Sequence, residues 1–238
     1  MMISWKCRLF FMNNKPIKLS PSSLNLYLEC PCCFWLDKKM GIRRPQPYPY
    51  ALNAAVDLLL KEEFDSYRKK GQPHPLLTAH NIPAKLFPNQ ELLNQWRNNF
   101  SGIRYFDEEL EATLFGAVDD ILEFPGGKLA PLDYKSTGSS VANVYDRFQI
   151  QMDIYTYLLE KNGFPTTRKG YLAFYIVDKK NGFNDRLPFR KEIQEIDSDP
   201  SDIPQLFKEA VAVLKRVSPP PHSQDCQHGQ WLEKAKDF

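Results

Sequence analysis

The stretch from Gly116 to Ser136, GAVDDILEFPGGKLAPLDYKS, constrains the fold more than any other. Two runs of β-compatible residues flank a Pro-Gly-Gly turn signal at positions 125–127, the pattern of an antiparallel hairpin. Side chains alternate faces along a strand, so Asp133 and Lys135 share a face and Tyr134 points the other way, into packing. Pairing across the turn brings Asp119 alongside Asp133 and turns Asp120 to the opposite face. Like charges directly opposed in a sheet repel. Two readings follow. In one, an ordinary hairpin leaves Asp119 or Asp120 in solvent and Asp133 pairs with Lys135. In the other, the carboxylates and the lysine converge on one metal ion.

The flanking segments predict an α/β chain. In LSPSSLNLYLECPCCFWL, Ser20 is a helix cap and Pro21 suits the first helical position, while Pro31 breaks or bends the helix. ALNAAVDLLLKEEFDSYRKKG is the clearest helix, with Ala54, Leu58 and Phe64 near one stripe and Gly71 at its end. NQELLNQWRNNF is a shorter one. DEELEATLFGAVDDILEF and KLAPLDYKS read as strands, YDRFQIQMDIYTYLLEKNG as a helix, KGYLAFYIVDK as a buried strand, and RLPFRKEIQEI as an edge strand because of Pro188. SDPSDIPQLFKEAVAVLKRV is a last helix before a tail. The expected architecture is a central mixed β-sheet flanked by α-helices, with a helical N-terminal segment. The expected organisation is an extension over 1–17, one domain over 18–218, and a cysteine-containing tail over 219–238 packed on it.

Charge narrows the partners. A net charge of +2 among 238 residues neither demands nor excludes a nucleic acid, and any such partner must be held by local positive charge. Basic runs at GIRRPQ and RKKG are candidates, against plain solvated surface as the ordinary reading. No apolar run reaches membrane-spanning length, so no membrane partner is expected. The N-terminal apolar patch is short and lacks a basic leader, unlike a signal peptide. Five cysteines, an odd number, and no secretion signal predict a reduced, cytoplasmic setting.

The helix after the lysine strand adds to the metal reading. Arg147, Gln151 and Tyr155 are successive i,i+4 neighbours on one face, able to reach a phosphate backbone or a metal-bound water. Magnesium takes oxygen ligands, often one or two carboxylates, and lysine supplies a compact charge beside them.

GAVDDI, then LDYKS, then QIQMDIY resembles the PD-(D/E)XK nuclease superfamily, most nearly the RecB-type nuclease domain and CRISPR-adaptation exonucleases. Gly116 and Asp119 match its GxxD element, Asp133 and Lys135 its (D/E)xK strand, and Gln151 and Tyr155 its QxxxY helix. The opening Ser-x-x-x-Leu…Cys-Pro segment is similar as well. The resemblance covers roughly residues 18 to 230. It implies a restriction-endonuclease-like core and Mg2+- or Mn2+-dependent hydrolysis of DNA, single-stranded or at duplex ends, exonuclease-like, with a helicase or other DNA-processing protein as candidate partner. It implies Asp119 and Asp133 as metal ligands, the Tyr134 backbone carbonyl as a further one, and Lys135 as the group positioning the attacking water. Gln151 and Tyr155 would support the site, and Arg147 and Gln151 would hold DNA.

Two departures stand out. Where these nucleases place G-x-x-x-H on the early helix, this chain has Asn53 and Asp57. Aspartate is the harder ligand, so Asp57 becomes a candidate metal ligand, with Lys61 and Glu62 one turn on. Relatives with an iron–sulfur cluster use four cysteines. Cys30 and Cys226 match two, but Gly229 stands at the expected C-x-x-C partner and no later cysteine exists, so a cluster of that spacing cannot be assembled. A Cys/His zinc site from Cys30, Cys33, Cys226 and His228 is the alternative. Against it stands a relic reading, with Cys30 a small buried hydrophobe and Cys226 a free thiol. A non-catalytic nucleic-acid-binding module that retains the fold is the rival overall. Cys7, His74 and His80 receive no role.

Overall fold

The computed structural model describes residues 16–45, 51–180, 182–183 and 185–235. The expected extension over 1–17 lies almost wholly outside them, as does Cys7. Chain order is β1 (Ile17–Leu19), α1 (Pro21–Glu29), α2 (Pro31–Met40), α3 (Ala51–Lys69), α4 (Pro75–Ala79), β2 (Lys85–Leu86) and α5 (Gln90–Trp96). Then come β3 (Ile103–Asp107), β4 (Ala112–Gly116), β5 (Asp120–Glu123), β6 (Leu129–Thr137), α6 (Asp146–Lys161), β7 (Lys169–Val177), β8 (Phe189–Asp197), α7 (Ile203–Lys215) and α8 (Gln227–Ala235).

Local chemistry explains the helical ends. The Ser20 hydroxyl accepts from Ser23 N–H and Pro21 occupies the first turn. Pro31 does not merely bend this helix: it ends α1 at Cys30 and starts α2, which stops at Gly41 in the left-handed region (φ 70°). In α3 the buried face is Leu60, Phe64 and Arg68, an i,i+4 row, whereas Ala54 and Leu58 are exposed. The apolar stripe expected through Ala54 and Leu58 is therefore displaced. Leu58 and Phe64 are six positions apart and cannot share a narrow face.

The strands form two sheets rather than one: a mixed three-stranded sheet in the order β1-β4-β3 and a mixed five-stranded sheet in the order β2-β5-β6-β7-β8. The run DEELEATLFGAVDDILEF is accordingly not continuous. It holds the turn between β3 and β4, then β4 of the small sheet, then β5 of the large one. The turn places Glu111 at φ 52°. β5 and β6 form the antiparallel hairpin, with Asp120 opposite Leu132. β6 and β7 are parallel, a pairing that requires a crossover, and α6 supplies it. β8 takes the edge, as Pro188 suggests.

The large sheet is buried on both faces. Leu172, Phe174 and Ile176 of β7 pack towards α1, α6 and α7. Tyr171, Ala173 and Tyr175 face Leu60 and Phe64 of α3, together with Leu132 and Tyr134 of β6. The two-residue period thus sends Tyr134 to the α3 side and Asp133 and Lys135 to the α6 side. The segment expected as a tail contains α8. His74, unassigned from sequence, caps α4 through Nδ1, which accepts from Leu76 N–H at 3.2 Å, and its ring stacks on Phe64 at 3.7 Å. No described helix is long and apolar enough to cross a membrane.

Candidate active site

Gly116 ends β4, and after three intervening residues the chain enters β5 at Asp120. Asp119 sits at this seam between the sheets. Continuing the register of Asp120 with Leu132 sets Asp119 opposite Asp133, and Tyr134 N–H donates to Asp119 Oδ2 at 3.0 Å. Lys135 Nζ stands 2.5 Å from Asp133 Oδ2.

α6 closes the site from one side. Gln151 Oε1 accepts from Lys135 Nζ at 3.2 Å, and its Nε2 donates to Asp133 Oδ1 and to the Tyr155 hydroxyl, each at 2.8 Å. Tyr155 in turn donates to the Ala117 carbonyl at 2.6 Å. One amide therefore orients both the carboxylate and the lysine, and one phenol ties α6 to the strand seam. Gly116 permits this approach: a Cβ there would lie 2.6 Å from the Tyr155 ring. The glycine of the first motif and the tyrosine of the third are thus a single packing contact.

α3 closes the other side. Lys61 Nζ bridges Asp57 Oδ2 at 2.7 Å and Asp119 Oδ1 at 2.9 Å. Burial opposes the charge on Lys61, but Asp119 and Asp57 outweigh it and raise its pKa above the usual lysine value. Asn53 Nδ2 donates to both the carbonyl and the hydroxyl of Ser136 at 2.9 Å, fastening the start of α3 to the end of β6. A cleft of about 400 Å³ opens beside these groups, lined by Asn53, Asp57, Leu60, Tyr134, Lys135 and Ser136.

Burial, then the neighbouring charge of Asp119, pushes the Asp133 carboxyl up to about 7 against the opposing effect of Lys135. Asp133 Oδ2 is buried without a hydrogen-bonding partner although Lys135 Nζ lies close. The two observations agree, because the ammonium stands near the oxygen without hydrogen-bond alignment. Burial also holds the Tyr155 phenol well above its ordinary pKa, so it remains a neutral donor.

Asp120, on the opposite face, has a structural role. Fully buried, it meets Arg68, Arg97 at 3.2 Å and the Tyr134 hydroxyl at 2.7 Å. Arg97 is in turn held by Asp65 at 2.8 Å and by the Asp119 carbonyl at 2.6 Å. The solvent-facing alternative for Asp120 is incorrect, because two guanidinium groups, Arg68 of α3 and Arg97 just after α5, neutralise it in the core. Arg147 is not brought to the carboxylates. It is exposed, with its guanidinium over the rings of Tyr145 and Phe148 at 4.8 and 5.1 Å, while Lys135 Nζ lies 4.3 Å from the Phe148 ring centroid.

The cysteines form a second group. Cys30, Cys33, Cys226 and His222 place one ligating atom each within 4.8 Å of one another. His222, not His228, is the histidine of this group. His228 lies two residues beyond Cys226 on α8, and a helical step of two residues turns side chains to opposite sides. Gly229 abuts His222: a Cβ there would lie 2.6 Å from the ring. Cys30 is buried, as the relic reading has it, and no disulfide joins the described cysteines, but Cys226 is not an exposed tail thiol: it is buried against Cys33 at 3.6 Å. Burial raises the Cys33 thiol to about 12. At Cys30 burial acts the same way, but backbone hydrogen bonds from Cys33 and Ser223 outweigh it and bring the thiol down to about 6.

The model of the PD-(D/E)XK nuclease superfamily matches residues 18–231. The chain belongs to the PD-(D/E)XK nuclease superfamily. The match runs from within β1 into α8 of this PD-(D/E)XK chain. Among solved structures, SSO0001 is similar at 16% identity, over 86% of this chain and 80% of that one, with a TM-score of 0.47. A phage-related exonuclease from Haemophilus somnus 129PT is similar at 13% identity, over 90% and 83%, with a TM-score of 0.39. No curated protein matches. The family assignment rests on the family model.

The sequence pattern placed Lys61 one turn beyond Asp57 without its ion pair to Asp119, and gave no sign of Arg68, Arg97 or His222. Spacing within one segment carries no signal for a partner that arrives from another.

Proposed function

We propose that this chain is a nuclease that hydrolyses DNA phosphodiester bonds with Mg2+ or Mn2+ at Asp119 and Asp133. The observation carrying this reading is the meeting of those carboxylates with Lys135 and Gln151 where β5, β6 and α6 converge. The donor set fits a hard divalent cation: carboxylate oxygens, one of them buried without a hydrogen bond, with a carboxyl at Asp133 whose charge is opposed by burial and by neighbouring Asp119. Asp57 on α3 and the Tyr134 carbonyl are the further candidate ligands. A bound ion would supply Lewis-acid stabilisation of the charge building on the phosphoryl oxygens.

The side chains divide the remaining work. Lys135 Nζ, oriented by Gln151 and Asp133, holds the water that attacks phosphorus and stabilises the developing charge. Gln151 is a positioning residue, since it keeps the lysine and the carboxylate in one geometry. Arg147, exposed on the same helix, is assigned to the phosphate backbone. Action on DNA ends, a helicase-type partner and a cytoplasmic setting are part of this proposal.

Degradation of linear and circular DNA, single-stranded and duplex, is measured with Mg2+, with Mn2+ and in EDTA. Metal-dependent loss of linear substrate that disappears in Asp133→Asn and Lys135→Ala is the expected result. Equal cleavage by parent and variants would overturn the mechanism. The Lys61 ammonium between Asp57 and Asp119 favours one rival, a DNA-binding module without catalysis. That rival predicts no binding of Mn2+ by calorimetry but retained affinity for DNA.

A further inference from the structure

We propose that Cys30, Cys33, Cys226 and His222 hold a single structural zinc ion that clamps the C-terminal segment to the first two helices. The sequence supplies the ligands as two short pairs, Cys30-x-x-Cys33 and His222-x-x-x-Cys226, spacings typical of structural zinc sites. Cys30 stands at the break between α1 and α2, in an extended conformation (φ −159°, ψ 103°). That break turns its sulfur towards Cys33 one turn later. Cys226 stands immediately before α8, and its sulfur accepts from Gly229 N–H at 3.4 Å.

Four of the six ligand–ligand distances match one tetrahedral ion, and the two from Cys30 to the other sulfurs are within 4.8 Å. Zinc bonds of ~2.3 Å to sulfur and ~2.1 Å to nitrogen give tetrahedron edges of about 3.8 Å between sulfurs and about 3.6 Å from sulfur to nitrogen. Cys33 and Cys226 sulfurs are 3.6 Å apart. His222 Nδ1 lies 3.4 Å from Cys30 Sγ, 3.7 Å from Cys33 Sγ and 3.6 Å from Cys226 Sγ. In a four-iron cluster each cysteine binds a different iron, so its sulfurs stand further apart than the ligands of one ion. A spread of at most 4.8 Å is too compact for that.

The surroundings complete the site. His222 Nε2 faces Cys32 Sγ at 3.5 Å. With Nδ1 as ligand, the Nε2 proton is donated to Cys32, the outer hydrogen bond that fixes the tautomer of a metal-bound histidine. Cys32 is thereby the orienting partner and not a ligand. Three thiolates around Zn2+ leave one negative charge, and Arg44 Nη2 approaches Cys226 Sγ at 3.7 Å to offset it. Gly229 leaves the space that the imidazole fills. An ordinary apolar cluster would explain the buried sulfurs but not a histidine with both nitrogens turned to them.

The untagged full chain, purified under reducing conditions, is assayed by elemental analysis and by cobalt(II) substitution. About one zinc per chain, no iron, and tetrahedral cobalt bands with thiolate charge transfer are expected. His222→Ala and Cys33→Ser should lose at least about tenfold in zinc affinity, about 1.4 kcal/mol, while His228→Ala keeps the parent value. Iron with acid-labile sulfide overturns the proposal, as does a metal-free protein or a Cys33–Cys226 disulfide. So does zinc that survives His222→Ala but is lost from Asp133→Asn. The wild-type metal content and cobalt spectrum decide the matter even if a variant fails to fold.

Discussion

Lys61 and Asp119 form an ion pair at 2.9 Å through Asp119 Oδ1, while Asp119 Oδ2 accepts from Tyr134 N–H. The same ammonium is 2.7 Å from Asp57. In a site proposed to collect a cation, a lysine already neutralises two of the oxygens. Its stem is long enough to swing away, so it can exchange with a metal ion rather than exclude it.

Lys61→Met should therefore tighten Mn2+ binding in the absence of DNA. Partly buried ion pairs of this kind contribute about 1 kcal/mol each at most, so the gain should be no more than roughly fivefold for each pair lost. Isothermal calorimetry reads it directly. Weaker Mn2+ binding in Lys61→Met would show that the lysine supports the site rather than competing for it.

Asp119 and Asp120 are adjacent but should respond oppositely to substitution. Asp120→Ala removes the buried carboxylate shared by Arg68 and Arg97 and leaves them Asp65 as their carboxylate partner, which costs up to about 3–5 kcal/mol, and the unfolding midpoint in urea should fall accordingly. Asp119→Ala should abolish cleavage while changing that midpoint far less. Comparable stability losses in the two variants would contradict this division.

Gly116→Ala sets a methyl group against the Tyr155 ring, with the closest carbon at 2.6 Å. Overpacking of this kind costs about 1–3 kcal/mol. Tyr155→Phe removes two hydrogen bonds, the one donated to the Ala117 carbonyl and the one accepted from Gln151, each worth about 1 kcal/mol. Both single variants should lower the midpoint of chemical denaturation. The Gly116→Ala, Tyr155→Ala double variant should recover part of the first loss, because the two groups are in contact.

The raised pKa of Asp133 makes a pH prediction. Its folded-state value of about 7 lies above the ordinary 3.8, so between these values the folded chain binds more protons than the unfolded one. The contribution to stability is full below about 3.8 and is lost as pH rises through about 7. In EDTA, the parent should lose stability between pH 5 and pH 8 relative to Asp133→Asn, on the order of 1–3 kcal/mol. Mn2+ should reverse the loss in the parent alone. Parallel pH profiles in EDTA would refute the assignment.

The zinc proposal extends to Gly229. Gly229→Ala forces the His222 ring to move, since a Cβ would sit 2.6 Å from it. Zinc release to a chromogenic chelator should be at least about tenfold faster than in the parent, with no iron acquired. Unchanged release would mean that the imidazole is not a ligand.

Sequence by itself determined whatever short-range periodicity governs. Ser20 and Pro21 start a helix because capping and a fixed φ act within one turn. The Pro-Gly-Gly turn and the two-residue strand period set Asp133 and Lys135 on one face, and the i,i+4 rule aligned Gln151 with Tyr155. The family match was legible for the same reason, since its motifs are short and ordered along the chain. The tertiary structure alone decided which groups from distant segments meet. It sent β4 and β5 to different sheets, turned α3 so that Lys61 rather than Leu58 faces inward, and buried Asp120 between Arg68 and Arg97. It also chose His222 over His228, because the direction of a side chain at the start of α8 depends on how that helix docks against α1 and α2. Such contacts are set by packing across long sequence separations, and no local pattern encodes them.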